Sequence, residues 1–201
     1  MIEMSDLALV PFAVDELRAA LDASVRASRR AAGDVSDAPA DVPDRLSLLA
    51  RLACEADEPE HAMTLITPDA RGLLWEDAAG HGLPAGFVLW GPVTAETRAW
   101  LAAQGLEADF EVLLIAVAAD RRRRGIGRKL LEAALASEPA GSRWVLGTGN
   151  APATERFYRA CAWEPVGLEP GYFARAYGHA VFEGDVLLTA RAYFMRTTPQ
   201  A

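Results

Sequence analysis

The chain of 201 residues carries 28 acidic against 20 basic side chains, a net charge of −8, and is 51% hydrophobic. That is enough apolar material for one sizeable core, and the acidic balance argues against general nucleic-acid binding, which needs surplus cations to displace counterions from phosphate. No apolar run approaches the roughly 18 residues of a membrane span, and the first residues, Met1 to Asp6, are acidic where a secretory signal would be basic. The expectation is a single domain over 1–201, cytoplasmic, with no nucleic acid or membrane as partner. Cys54 and Cys161 lie far apart without metal-type spacing, so two reduced thiols and no metal are expected.

In chain order, Ser5 to Val10 reads as an edge strand. Val14, Leu17, Leu21 and Val25 recur at helical spacing within Val14 to Ala32, with Asp15 and Glu16 in the first turn and Arg26, Arg29 and Arg30 in the last, as the helix dipole prefers. Gly33 to Asp44 is a loop that holds Asp34, Asp37, Asp41 and Asp44 and no basic residue. A second helix is expected over Asp44 to Ala56. Strands are expected at Ala62 to Thr67, Arg71 to Glu76 and Gly86 to Trp90, then a short helix over Thr94 to Gln104. Phe110 to Val117 is nearly all apolar, so both its faces should be covered. Gly127 to Ala136 is helical, with Ile126, Leu130, Leu131, Ala134 and Leu135 as its stripe. Trp144 to Leu146 is a buried strand, and Ala151 to Cys161 a helix with Asn150 as N-cap and Pro152 in its first turn. Strands near Trp163 to Gly167 and Ala190 to Arg196 complete an α/β chain with a mixed sheet between helix layers.

The junction Val117-Ala118-Ala119-Asp120-Arg121-Arg122-Arg123-Arg124-Gly125-Ile126-Gly127 joins the buried strand to a helix. Glycines let backbone approach a ligand closely, and the following helix offers unpaired N–H groups and the positive end of its dipole. Arginines beside them add charge and forked donors, so the segment fits phosphate or pyrophosphate. Read on its own residues, it is equally a tight turn with a basic solvated surface. No Gly-Lys-Ser/Thr follows, which excludes a Walker loop, and Leu130 stands where a dinucleotide fingerprint needs its third glycine.

Arg122-Arg123-Arg124-Gly125-Ile126-Gly127 resembles the Arg/Gln-x-x-Gly-x-Gly/Ala signature of the GCN5-related N-acetyltransferase (GNAT) family. Asn150 followed by Phe157-Tyr158 on a helix is similar to that family's later segment, with Ala162-Trp163 in place of its usual Gly-Phe and a spacing that differs by one residue. The resemblance is specific over Phe110 to Trp163. Gly171-Tyr172-Phe173 through Tyr177 and Glu183-Gly184-Asp185 are also similar, more distantly, to one bacterial branch. The resemblance implies a GNAT-like acyl-coenzyme A N-acyltransferase fold, a central mixed and mostly antiparallel sheet flanked by helices. It implies acetyl-coenzyme A as co-substrate, with its pyrophosphate on Arg122, Arg123, Arg124, Gly125, Ile126 and Gly127, Arg128 beside them, its pantetheine arm along the backbone from Ile115 to Val117, and Asn150 nearby.

Transfer of acetyl to an amine needs a deprotonated nucleophile, an aligned pair of substrates, a donor for the developing oxyanion and a proton for the departing thiolate. Tyr158 is the candidate acid, against a packed helix tyrosine as the alternative. Glu111 is the candidate base, against an edge-of-strand glutamate in a surface salt bridge as the alternative. Glu111 shares a strand face with Leu113, Ile115 and Val117, where its pKa would rise unless a partner relieves it. The acceptor is expected to be a primary amine of a small molecule or peptide. The resemblance implies that the loop Gly33 to Asp44 borders the acceptor side, so its aspartates point to a cationic amine, with a solvated acidic loop as the alternative. The alternative function is an acyl-coenzyme A sensor without turnover. A monomer and a homodimer are both compatible with the sequence.

Overall fold

The computed structural model describes residues 7–19, 21–22, 52–53, 59–77 and 84–200. The loop at 33–44 with its aspartates, most of the second expected helix, Cys54 and His81 lie outside the described residues. Strand β1 covers Leu7–Pro11, and residues 14–19 and 21–22 are helical as their spacing requires. Helix α1 covers Pro59–Leu65, β2 Arg71–Asp77, β3 Pro84–Pro92, α2 Ala95–Ala103 and β4 Phe110–Val117. Helix α3 covers Ile126–Ala136, β5 Arg143–Gly149, α4 Pro152–Ala160 and β6 Glu164–Pro170. Helix α5 covers Tyr172–Tyr177, the short strands β7 and β8 cover Phe182–Glu183 and Val186–Leu187, and β9 covers Ala190–Thr197.

The seven-stranded sheet runs in the order β1-β2-β3-β4-β5-β9-β6, and β7 with β8 forms a separate hairpin. Within the sheet β4 and β5 are parallel, while β1/β2, β2/β3, β5/β9 and β6/β9 are antiparallel. The sheet is therefore mixed, mostly antiparallel and flanked by helices, as the resemblance implied.

Where the sequence indicated a strand at Ala62 to Thr67, the chain forms α1. A short apolar run reads equally well as either element, and here Pro59 opens the helix where its missing N–H costs nothing. Ala62 and Ile66, four residues apart, are both buried. Asn150 does not cap α4. The N-cap is Ala151, and the Asn150 side chain instead accepts from the backbone N–H groups of Thr189 and Ala190 at 3.1 and 3.3 Å. Helix α5 and the β7–β8 hairpin had no counterpart in the expected elements.

The described chain falls into two compact units, 1–91 with 113–137 and 92–112 with 138–201, and β4 contributes residues to both. In the first, Leu17, Leu21, Leu74, Phe87, Leu89, Leu113 and Leu114 belong to one apolar cluster. Gly86 is required there, because a Cβ would come within 2.7 Å of the Ala116 carbonyl oxygen. In the second unit, strand alternation separates two faces. Trp100, on α2, stacks on Tyr193 of β9 at 3.9 Å, and Val93, Leu101 and Val145 share that cluster. Tyr158, on α4, packs instead against Phe194, the next residue of β9, at 5.7 Å. At the end of α4, Ala162 adopts φ 60°, a left-handed conformation that costs a side-chain-bearing residue about 1–2 kcal/mol. Glycine usually stands at that place in the resembling motif, so Ala162 keeps the turn at an energetic cost.

Candidate active site

The loop after β4 has the architecture its residues implied. Ala119–Arg121 forms a single 3-10 turn, Gly125 is the N-cap of α3 with φ 79°, and no side chain caps that helix. Gly125 is exposed, and a Cβ there would meet nothing within 4 Å. What glycine supplies is thus the left-handed turn and an unobstructed approach to free N–H groups. Arg122 donates from Nε to the Val117 carbonyl at 3.0 Å, which fixes the loop to the strand it leaves. Arg121 pairs with Asp120 at 3.2 Å. Arg123, Arg124 and Arg128 are exposed, and Arg123 itself has φ 61°. Below the loop, Ile126, Leu130, Leu131, Ala134 and Leu135 bury the inner face of α3. The result is a helix N-terminus with no acidic residue in its first turn, flanked by cations, an arrangement of the kind that suits an anion.

Strand β4 pairs with β5 over Phe110–Val112 against Trp144–Leu146. Ile115 and Val117 lie beyond that register, and both are only partly buried. At the end of the strand, the Ala118 N–H donates to the Ala85 carbonyl at 2.9 Å.

Tyr158 is buried among Phe157, Trp163 and Phe194. Burial pushes its hydroxyl well above the ordinary tyrosine range, the neighbouring Glu183 and Cys161 push the same way, and a hydrogen bond with Thr148 opposes them. The phenol therefore keeps its proton throughout the neutral range. Glu183 is bonded to the hydroxyl of Thr154, one helical turn before Tyr158 on the same face of α4.

Glu111 is 1% exposed and fully engaged. One carboxylate oxygen accepts the Thr97 hydroxyl at 2.6 Å and Arg191 Nη2 at 3.4 Å, and the other accepts the Thr94 backbone N–H at 2.8 Å. The partner that could relieve a buried carboxylate is thus Arg191, with the N-terminus of α2 beside it. Arg191 is itself 7% exposed and lies between the rings of Tyr172 and Tyr193, at 4.7 and 5.0 Å. Burial works against its charge, but the two tyrosines, Glu111 and Glu96 outweigh that and hold its pKa above the usual value. Its second ion pair is with Glu96 at 3.2 Å. Gly147 makes room for it: a Cβ there would stand 2.0 Å from Arg191 Nε.

Asn150 is occupied by the chain before β9, since its amide nitrogen also donates to the Thr189 hydroxyl at 3.0 Å. Leu188 closes against Gly149 in the same place, with a Cβ-equivalent distance of 2.6 Å. The network of Glu96, Arg191 and Tyr172 was missed from sequence, although an isolated glycine inside a strand, Gly147, is a sign of close approach by another group.

Comparison with known proteins agrees with this geometry. Residues 72–165 match the model of the acetyltransferase (GNAT) domain. No curated protein sequence matches the chain. Among solved structures, the IAA acetyltransferase of Bacillus cereus ATCC 14579 superposes with a TM-score of 0.62 at 15% identity, covering 95% of this chain and 99% of that one. A GNAT family acetyltransferase from Elizabethkingia anophelis, solved with acetyl-CoA bound, gives 0.61 at 16% identity over 96% and 98%. A Bacillus subtilis acetyltransferase in complex with CoA gives 0.58 at 18% identity over 82% and 95%. Residues 72–165 thus resemble the acetyltransferase (GNAT) domain, and the chain shares the fold of the solved acetyltransferases on which it superposes.

Proposed function

We propose that the protein is an N-acetyltransferase that carries acetyl from acetyl-coenzyme A directly to a primary amine of a small molecule or peptide. The observation that carries this reading is the uncapped, arginine-flanked N-terminus of α3 with Gly125 at its head. The residues present fit the cofactor's diphosphate: free backbone donors, open space above Gly125 and exposed Arg123, Arg124 and Arg128. When bound, acetyl-coenzyme A supplies the reactive thioester. Ile126 and Gly127 contribute backbone donors at the helix start, and Arg122 holds the loop in register through the Val117 carbonyl. Ile115 to Val117, past the β4–β5 register, offers backbone groups for the pantetheine arm and an amide for the developing oxyanion.

Tyr158 serves as the general acid toward the departing sulfur. Burial keeps it protonated, and a sulfur anion in the same apolar surroundings is correspondingly basic. Asn150 contributes by holding the chain before β9 rather than through a spare donor pair. Of the two roles open to Glu111, its three donors favour the ion pair, so its part is to fix α2 on β4 and to position Arg191. A sensor that binds the cofactor without turnover is the competing reading, and thiol release separates the two.

The test is a thiol-release screen with acetyl-coenzyme A against an amine panel, run with wild type and Tyr158→Phe. Tyr158→Phe should lower turnover about a hundredfold and leave cofactor affinity within about twofold. Cofactor binding without thiol release from any amine would favour the sensor. A variant within about threefold of wild type would return Tyr158 to packing alone.

A further inference from the structure

We propose, resting on the reading of Tyr158 as the acid of the transfer, that Glu183 is a positioning residue for it: through its bond to Thr154, Glu183 closes the β7–β8 hairpin on α4 beside the tyrosine hydroxyl. Glu183 ends β7, next to the turn at Gly184, whose φ is 60°. Its Oε1 accepts the Thr154 hydroxyl. Thr154 lies one helical turn before Tyr158 on the same face of α4, so a side chain bonded to the first is brought beside the second. The groups that bear on the Tyr158 hydroxyl agree with that placement. They are Glu183 from the hairpin, Cys161 from the end of α4 and Thr148 from β5.

Burial does not hold the tip of this hairpin in place. Its strands have two residues each, and a two-stranded hairpin is marginal by itself. Residues 182–187 are all exposed, the apolar Phe182 at 59%, Leu187 at 47% and Val186 at 40% among them. The base is fixed, because Leu188 is buried against Gly149 and donates its N–H to the Val181 carbonyl at 2.9 Å. The tip takes its place on α4 from the polar bond at Glu183. A glutamate beside an exposed turn ordinarily stands in water. Here it reaches across to a helix instead, at the turn that precedes Tyr158.

The consequence falls on the tyrosine. Phe157, Trp163 and Phe194 surround its ring, and Tyr158 as a whole is 6% exposed. Desolvation is the largest influence on its hydroxyl and Glu183 the next. A hairpin closed on α4 serves both: it keeps water from the hydroxyl, and its carboxylate disfavours a second negative charge there. The acid then holds its proton until a sulfur anion arrives, without water competing for it. Glu183 acts through Tyr158 and touches neither substrate.

The experiment follows Tyr158 by NMR in the full-length protein, with tyrosine isotope-labelled at Cζ, over about pH 8 to 12, the window around an ordinary tyrosine. The Tyr158 signal is the one missing from Tyr158→Phe. In wild type it should keep its protonated position throughout. Glu183→Ala and Thr154→Val both break the bond, and each should bring the titration down into the window while Tyr172 and Tyr193 keep their signals. Glu183→Gln can still accept the Thr154 hydroxyl and should stay closer to wild type than Glu183→Ala does. Thiol release should slow about fivefold in Glu183→Ala and Thr154→Val and less than about twofold in Glu183→Gln, with acetyl-coenzyme A affinity unchanged. A Tyr158 signal that behaves alike in wild type, Glu183→Ala and Thr154→Val overturns the inference, as does a Glu183→Gln indistinguishable from Glu183→Ala. Shifted titrations without thiol release from any amine, in wild type as well, count against the transfer reading alone. Full turnover in Glu183→Ala beside an impaired Tyr158→Phe counts against Glu183 alone.

Discussion

Two groups of arginines in this chain do opposite things. Arg121 to Arg124 surround a loop whose backbone is exposed, and only Arg122 is bonded to a strand carbonyl. Arg191 is buried, sits between two tyrosine rings and answers two carboxylates. In the first region the cations are kept in water, where their attraction for an anionic ligand costs no desolvation in advance. In the second the desolvation has already been met by fixed partners, so the guanidinium organises protein instead of ligand. The comparison teaches that arginines left in water remain available to an anionic ligand, whereas a single buried one can decide the packing of a face.

The largest effect that separates the two regions should come from Arg191→Met. It leaves Glu111 buried without its cation, and loss of about 3–5 kcal/mol of stability is expected in urea unfolding. Adding Glu111→Gln should recover part of that loss, because the orphaned charge goes with it. If Arg191→Met is instead as stable as wild type, the network is not the organiser described here.

The counterpart in the loop is Gly125→Glu. Carboxylate and bulk at the head of α3 should raise the acetyl-coenzyme A dissociation constant by about a hundredfold or more, read by calorimetry. The fold should survive, since a Cβ meets nothing within 4 Å there and only the φ of 79° is strained. A stability cost of about 1–2 kcal/mol is expected. Unchanged affinity would remove the loop from cofactor binding.

The smallest effect of the three is expected from Gly147→Ala. The new methyl group collides with Arg191 Nε, which must shift, and overpacking of this kind costs about 1–3 kcal/mol. The same variant should weaken the hold on Glu96 without a change in cofactor affinity. Gly147→Ala in an Arg191→Met background should cost less than in wild type, since the colliding atom is gone.

The first of the two regions was legible in the sequence. Its signal is local: strand, arginines, glycines and helix follow each other within a dozen residues, and each has a conformational or electrostatic reason to stand where it does. The same holds for Tyr158, which lies on a helix whose start is fixed by Pro152. The strand β4 was readable because both its faces are apolar. The expected strand at Ala62 to Thr67 failed because six residues are too few for periodicity to separate strand from helix, and Pro59 upstream decided it.

What the sequence by itself determined, then, is every feature whose physical cause lies within one or two elements: the glycine turn and open helix end of the loop after β4, the apolar strand before it and the tyrosine helix after it. Only the tertiary structure decided what Glu111 is bonded to, which side of the sheet Glu96 and Tyr172 share, and that Asn150 secures the chain before β9 rather than capping α4. Arg191 lies 80 residues from Glu111 and 95 from Glu96 along the chain. A hydrogen bond leaves no trace in local spacing when its two ends meet only because β9 pairs beside β5, so the buried arginine, unlike the exposed ones, could be read only from the fold.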